Sequence, residues 1–134
     1  RELNLMSDYG SWDSGFGRRA LRGEPHNGLD FDAVKGTKVI TAHYGIVEYV
    51  LDSEDIEWAL IVKIINDPDE DNSNIIYYNI FWTVYAHLDK PTILRKEYVE
   101  PGQEIGEVGN SDEIRLIVRD HLHFGVLTNP SDYR

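Results

Sequence analysis

The chain alternates turn residues with short runs of β-branched and aromatic residues, and no segment keeps a 3.6-residue hydrophobic period over the length of a typical helix. The runs that predict strands are residues 37–42, 45–51, 58–65, 75–88, 104–109 and 121–127. Residues 114–118 fit a strand or a helical turn equally well. Strands without helical crossovers pair mostly antiparallel. We therefore expect a mostly β fold with little helix, an antiparallel β-sheet sandwich or partly open barrel.

Length and composition predict one domain. The chain has 134 residues, 41% of them hydrophobic, which is enough for a core. We divide it into an N-terminal arm (1–22), a core (23–128) and a short tail (129–134). No apolar run reaches the ~20 residues of a transmembrane helix, and no signal peptide is visible. Because the chain opens with Arg1, we interpret it as a mature or excised fragment.

The charge balance restricts the partners. The formal net charge is −11, which argues against nucleic acid because phosphate binding needs a basic patch. The chain has no cysteine, so a zinc site would have to use His, Asp or Glu.

The acidic segment 67–73 begins like a calcium loop, but it lacks the glycine and the bidentate glutamate of that motif. We interpret it as a solvated hairpin loop.

Two histidines mark the last predicted strand. His121 and His123 are separated by one residue, so on a strand they point to the same face, roughly 6.6 Å apart. Leu122, Phe124 and Val126 would then point the other way, into a core. The pair is suited to holding a metal, although a pair of half-exposed strand histidines is an alternative.

A second candidate ligand pair flanks a turn. His26 and Asp30 would lie about 13 Å apart on an ideal strand, too far for one metal ion. Asn27-Gly28 between them is a strong turn signal, and a turn can bring both side chains to one ion. The alternative is a capped turn with an exposed histidine.

Three motifs in order resemble the lysostaphin-type, or LytM-like, zinc endopeptidases. They are HNGLD at 26–30, YAHL at 85–88 and HLHF at 121–124, with the glycine-bearing segment PGQEIGEVG at 101–109 between the last two. The resemblance covers about residues 16–126. It implies an antiparallel β fold with an active-site groove, a Zn²⁺ cofactor and hydrolysis of peptide bonds in bacterial peptidoglycan, in stems or cross-bridges. It also implies a location in the cell envelope, either periplasmic or secreted.

The resemblance implies a role for each matched residue. His26, Asp30 and His123 match the three zinc ligands. His87 and His121 match the two catalytic histidines, with His87 favoured as the general base and His121 as the stabiliser of developing charge. His43 matches no functional position and is interpreted as structural.

The sequence departs from the family in the segment before the His-x-His strand. Residues 111–120 (SDEIRLIVRD) replace the usual Gly- and Ser/Thr-rich loop, which leaves substrate choice open. The strongly negative charge is unusual for an enzyme that acts on an anionic polymer, and it suggests a covering domain or regulatory partner.

Two alternative functions remain at this point. The first is a non-catalytic peptidoglycan-binding or hydrolase-activating module on the same fold, although none of the matched positions is lost here. The second is a phosphocarrier domain, which has paired histidines, or a lipoyl-like carrier domain. Both resemble residues 102–109 and both leave His26 and Asp30 unexplained, and the lipoyl-like carrier would also need a lysine that residues 104–109 lack.

Overall fold

A computed structural model describes residues 4–7, 28–53, 57–65, 81–110 and 120–133. The nine strands of this part are β1 (Asn4–Ser7), β2 (Leu29–Asp32), β3 (Lys38–Ile40), β4 (Gly45–Ser53), β5 (Glu57–Ile64), β6 (Trp82–Leu88), β7 (Tyr98–Val99), β8 (Glu104–Glu107) and β9 (His121–Leu127). One 3₁₀ helix follows at Pro130–Tyr133. Within the described ranges, no helix is long and apolar enough to cross a membrane.

Seven strands form one open sheet in the order β1-β2-β9-β6-β5-β4-β7, and every pairing in it is antiparallel. Strands β3 and β8 form a separate two-stranded antiparallel sheet. These features confirm the predicted mostly β, antiparallel fold with little helix.

The main core fills one face of the large sheet. Its buried residues come from the central strands, from the small sheet and from the connection between β6 and β7; among them are Val47, Leu60, Val62, Tyr85, Leu122, Val39, Ile105 and Ile93. A smaller cluster of Ile61, Val84 and Leu127 lies on alternate positions of the same strands, and therefore on the opposite face. The central strands are thus apolar on both faces, which explains why they appear in the sequence as nearly continuous hydrophobic runs.

Several strands differ from the sequence-based expectation. Residues 29–32 form β2 rather than part of a turn, residues 4–7 of the predicted arm form β1, and β7 was not predicted. These strands are only four, four and two residues long, too short to show a period in the sequence. Of the predicted strand 75–88, the part that the structure describes is extended from Trp82, and residues 75–80 and 114–118 lie outside the described residues.

The predicted burial of β9 is right for Leu122 and Phe124 and wrong for Val126. Leu122 belongs to the main core and Phe124 packs against it, whereas Val126 is 53% exposed. Alternation along the strand still holds. Only the first half of β9 covers the main core, so the face that carries Leu122 and Phe124 is exposed at Val126.

A matched pair of leucine substitutions tests this core. Leu60 is fully buried and Leu94 is 67% exposed. We expect Leu60→Ala to lower the free energy of unfolding by about 2–5 kcal/mol, because it leaves a cavity between the sheets. Leu94→Ala should change it by less than about 0.5 kcal/mol. Urea denaturation followed by tryptophan fluorescence measures both, and equal losses would contradict this position of the core.

Candidate active site

The pairing of β2 with β9 sets Asp30 directly opposite His123. Residues opposite each other on neighbouring strands point to the same face. The Asp30 Oδ1 and His123 Nδ1 atoms are 2.7 Å apart, and both side chains are buried. Two side chains that lie far apart in the sequence therefore meet through strand register alone.

His121 lies on the same face, one alternation earlier. Its Nε2 atom is 3.9 Å from Asp30 Oδ2, and its side chain is buried. The carboxylate of Asp30 thus contacts His123 through one oxygen and lies near His121 through the other. The pair that the sequence predicted to share one face does so, and Asp30 lies between its two rings.

His87 lies on this face because its backbone adopts a left-handed conformation. Tyr85 and Leu88 both pack in the main core, although regular alternation along β6 would place them on opposite faces. The φ angle of His87 is +65°, a left-handed conformation that is uncommon for residues other than glycine. This conformation reverses the alternation. It directs the His87 ring toward His121, with ring centroids 4.4 Å apart, and toward His123, with centroids 6.2 Å apart.

Burial lowers the pKa of His87 from 6.5 to about 4. The nearby Glu57 carboxylate opposes this shift, while the neighbouring rings of His121 and His123 add to it. Desolvation penalises the charged imidazolium, so the neutral ring predominates at neutral pH. A neutral imidazole keeps one nitrogen lone pair that can accept a proton.

Glu57 is a site residue that the sequence interpretation missed. Its Oε1 atom is 3.6 Å from His87 Nδ1, and its side chain is only 8% exposed. A sequence signal was available. Glu57 is in phase with Ala59 and Ile61, two fully buried positions of β5, so alternation alone would have placed a carboxylate on a buried face.

His43 is held in a different environment. Its Nδ1–H donates to the Tyr44 carbonyl oxygen at 2.8 Å, and its Nε2 lies 2.8 Å from the Thr83 hydroxyl. Thr83 also contacts Tyr85, whose hydroxyl lies 3.5 Å from Thr41. With both ring nitrogens bonded, His43 is part of a partly buried polar network that ties the segment before β4 to β6.

The donor atoms at Asp30 and His123 suit a transition metal such as zinc. An imidazole nitrogen and a carboxylate oxygen are typical zinc ligands, and two such atoms on a tetrahedral ion lie about 3.3 Å apart for bonds of ~2.0–2.1 Å. The 2.7 Å between Nδ1 and Oδ1 can widen to this value with small side-chain rotations. The third predicted ligand, His26, lies outside the described residues, and within those residues no three His, Asp or Glu side chains form a complete metal site.

Comparison with known proteins identifies the family. The sequence model that defines peptidase family M23 matches residues 24–133. The chain therefore belongs to this family. The peptidoglycan DD-endopeptidase ShyA of Vibrio cholerae is 32% identical over 104 residues, which cover 77% of this chain and 20% of that protein. The chain therefore spans about a fifth of the length of this relative.

Two solved structures share the fold. The catalytic domain of lysostaphin from Staphylococcus simulans matches with a TM-score of 0.67 and 24% identity, covering 95% of this chain and 81% of that one. A zinc-containing peptidase from Vibrio cholerae matches with a TM-score of 0.64 and 26% identity, covering 95% of this chain and 33% of that one. The predicted resemblance to lysostaphin-type peptidases is confirmed.

The close approach of Gly28 to His123 generates a prediction. A Cβ atom at Gly28 would lie 2.5 Å from the Phe124 carbonyl oxygen and 2.7 Å from His123 Nε2. Gly28→Ala should therefore displace the His123 ring and cost about 1–3 kcal/mol of stability through overpacking. Two-dimensional NMR of histidine side chains and urea denaturation would report the two effects.

Gly102→Ala provides the matched control. Gly102 has a left-handed φ of +82°, but a Cβ there would meet no atom within 4 Å. Its substitution should cost about 1–2 kcal/mol through the backbone alone and leave the His123 resonances in place. Unchanged His123 resonances in Gly28→Ala would show that the glycine is not needed for the site.

Proposed function

We propose that this chain is a zinc-dependent endopeptidase domain that hydrolyses peptide bonds in bacterial peptidoglycan. The observation that carries the proposal is the buried convergence of Asp30, His123, His121 and His87 on one face of the sheet. Burying a carboxylate and three imidazoles together costs free energy. Such groups are concentrated at functional sites.

In this proposal Asp30, His123 and His26 hold the zinc ion. A bound zinc ion would supply a Lewis acid that polarises the scissile carbonyl group and favours ionisation of water at neutral pH. The ligand set carries one negative charge when both histidines are neutral, so the loaded site keeps a net positive charge. The role of His26 rests on the motif, and those of Asp30 and His123 are supported by their contact across the strand pair.

His87 and His121 handle the proton and the developing charge. The oxygen of a water molecule adds to the peptide carbonyl carbon, and the neutral His87 ring takes the proton that the water loses. The C–N bond then breaks, and His87 returns the proton to the departing amine. His121 donates a hydrogen bond to the carbonyl oxygen while that oxygen carries negative charge. The lowered pKa of His87 supports its assignment as the base, because the ring starts the cycle neutral.

The names of two relatives support the proposed substrate class. Two curated relatives, at 32% and 28% identity, are both named peptidoglycan DD-endopeptidases of Vibrio cholerae. We propose the same polymer as the substrate of this chain, and with it a location in the cell envelope, periplasmic or secreted. Because the chain spans only 20% of either relative, a covering domain or regulatory partner remains part of the proposal.

Digestion of purified peptidoglycan tests the proposal directly. The purified chain should release peptide fragments whose masses identify the cleaved bond, and a chelator should abolish the release. Added zinc should restore it, because metal removal takes away the Lewis acid. Binding to peptidoglycan without any released fragment, with zinc present, would instead identify a non-catalytic binding or activating module.

Two substitutions separate metal binding from proton transfer. His123→Ala should lose both zinc and activity. His87→Asn should keep zinc and lower turnover by about 10²–10⁴-fold, the usual contribution of a general base. Asparagine is chosen because it tolerates the left-handed φ of His87.

Elemental analysis and fragment release measure the two effects. Val126→Ala, on the opposite and exposed face of β9, is the control and should keep both zinc and turnover. Full zinc occupancy in His123→Ala would refute the ligand role, and normal turnover in His87→Asn would refute the base.

A further inference from the structure

Glu57 occupies a position that is costly for a carboxylate. It is the first residue of β5 and is only 8% exposed. An ionised carboxylate that leaves water loses its hydration, so it needs compensating hydrogen bonds or charges in the protein. The ring of His87, 3.6 Å away, is one such group.

The backbone is distorted at both residues of this pair. Glu57 has a φ of +54° and His87 has a φ of +65°, and both are left-handed. The register of β5 against β6 shifts at the same place, where Glu57 and Trp58 both face Leu88. Bulges of this kind re-aim side chains next to active sites. Left-handed residues other than glycine persist only where the surrounding structure holds them, and they cluster at functional sites.

A hydrogen bond between Glu57 and His87 can have only one direction when the carboxylate is ionised. The His87 Nδ1 atom is buried and has no hydrogen bond within the described residues. The carboxylate of Glu57 can only accept a hydrogen bond when it is ionised, so the two groups match if Nδ1 carries the proton. At 3.6 Å the contact is longer than a hydrogen bond, and a small rotation of either side chain closes it. Such contacts are often long in ligand-free sites and shorten when substrate binds.

We propose that Glu57 is a positioning residue for His87, and that its carboxylate accepts a hydrogen bond from Nδ1–H and thereby selects the tautomer with a free lone pair on Nε2. A histidine whose one nitrogen is held by a carboxylate presents the other nitrogen in a fixed orientation. The inference rests on the proposed function, in which His87 takes a proton from water. It adds an acidic residue that lies outside the three motifs of the sequence.

The tautomer of His87 tests this proposal without any need for turnover. In the full chain, labelled with ¹⁵N-histidine and loaded with one equivalent of zinc, the two ring nitrogens of His87 report which of them carries the proton. His87→Asn identifies the resonances by their loss. We expect the Nδ1–H tautomer in the unsubstituted chain and a mixed or Nε2–H tautomer in Glu57→Gln, because an amide donates as readily as it accepts. A Nε2–H tautomer in the unsubstituted chain overturns the proposal.

Kinetics on peptidoglycan fragments provide the second readout. Glu57→Gln should lower kcat by about 10–100-fold and leave KM unchanged, the usual effect of losing a group that orients a reacting side chain. Glu48→Gln is the matched control, because Glu48 is a partly buried carboxylate of the neighbouring strand β4 that accepts a hydrogen bond from Trp82 Nε1. It should leave kcat and the His87 tautomer unchanged.

The outcomes separate this inference from the proposed function. If the unsubstituted chain hydrolyses nothing, the proposed function fails, and the tautomer still decides whether Glu57 orients His87. If Glu57→Gln loses thermal stability while the tautomer and kcat are unchanged, Glu57 is only structural and the inference fails. If Glu57→Gln does not fold, the tautomer of the unsubstituted chain remains the deciding measurement.

Discussion

The contact between Asp30 and His123 is the interaction on which the site depends. It joins β2 to β9 in the interior of the large sheet, and its 2.7 Å length is typical of a hydrogen bond to a charged group. A shift of one residue in the register of β2 and β9 would turn Asp30 to the other face and separate the pair. The register is held on that other face by Phe31, Leu122 and Phe124, which belong to the core or pack against it. Apolar packing on one face therefore aligns the polar groups on the other.

The His87 ring reaches the face of His121 because β6 departs from regular alternation at that residue. A regular β6 would direct His87 into the main core beside Tyr85. The left-handed backbone at His87, with the bulge beside Glu57, turns the ring to the face of His121 and returns Leu88 to the core. A left-handed conformation at a residue other than glycine costs free energy and persists only where the surrounding structure holds it.

Three of the described histidines illustrate two different surroundings of an imidazole, one partly buried and one buried. His43 has a hydrogen bond at each ring nitrogen, to the Tyr44 carbonyl and to Thr83. His87 and His121 instead lie ring to ring, 4.4 Å apart, near the carboxylates of Glu57 and Asp30. The first arrangement bonds the segment before β4 to β6, and the second gathers two rings and two carboxylates on one buried face. Both burial and local partners therefore distinguish His43 from His87 and His121.

Local pattern was sufficient for the antiparallel β class, for the shared face of His121 and His123, and for the motifs that identified the family, because strand periodicity and residue chemistry are properties of short segments. It was insufficient for β1, β2 and β7, which are too short to show a period and are extended only because a neighbouring strand supplies hydrogen bonds. It also missed Val126 and Glu57. Exposure depends on what covers a face, and the approach of Glu57 to His87 depends on a bulge and two left-handed residues. Those features arise only when β5 and β6 pair, and so the tertiary structure alone decided them.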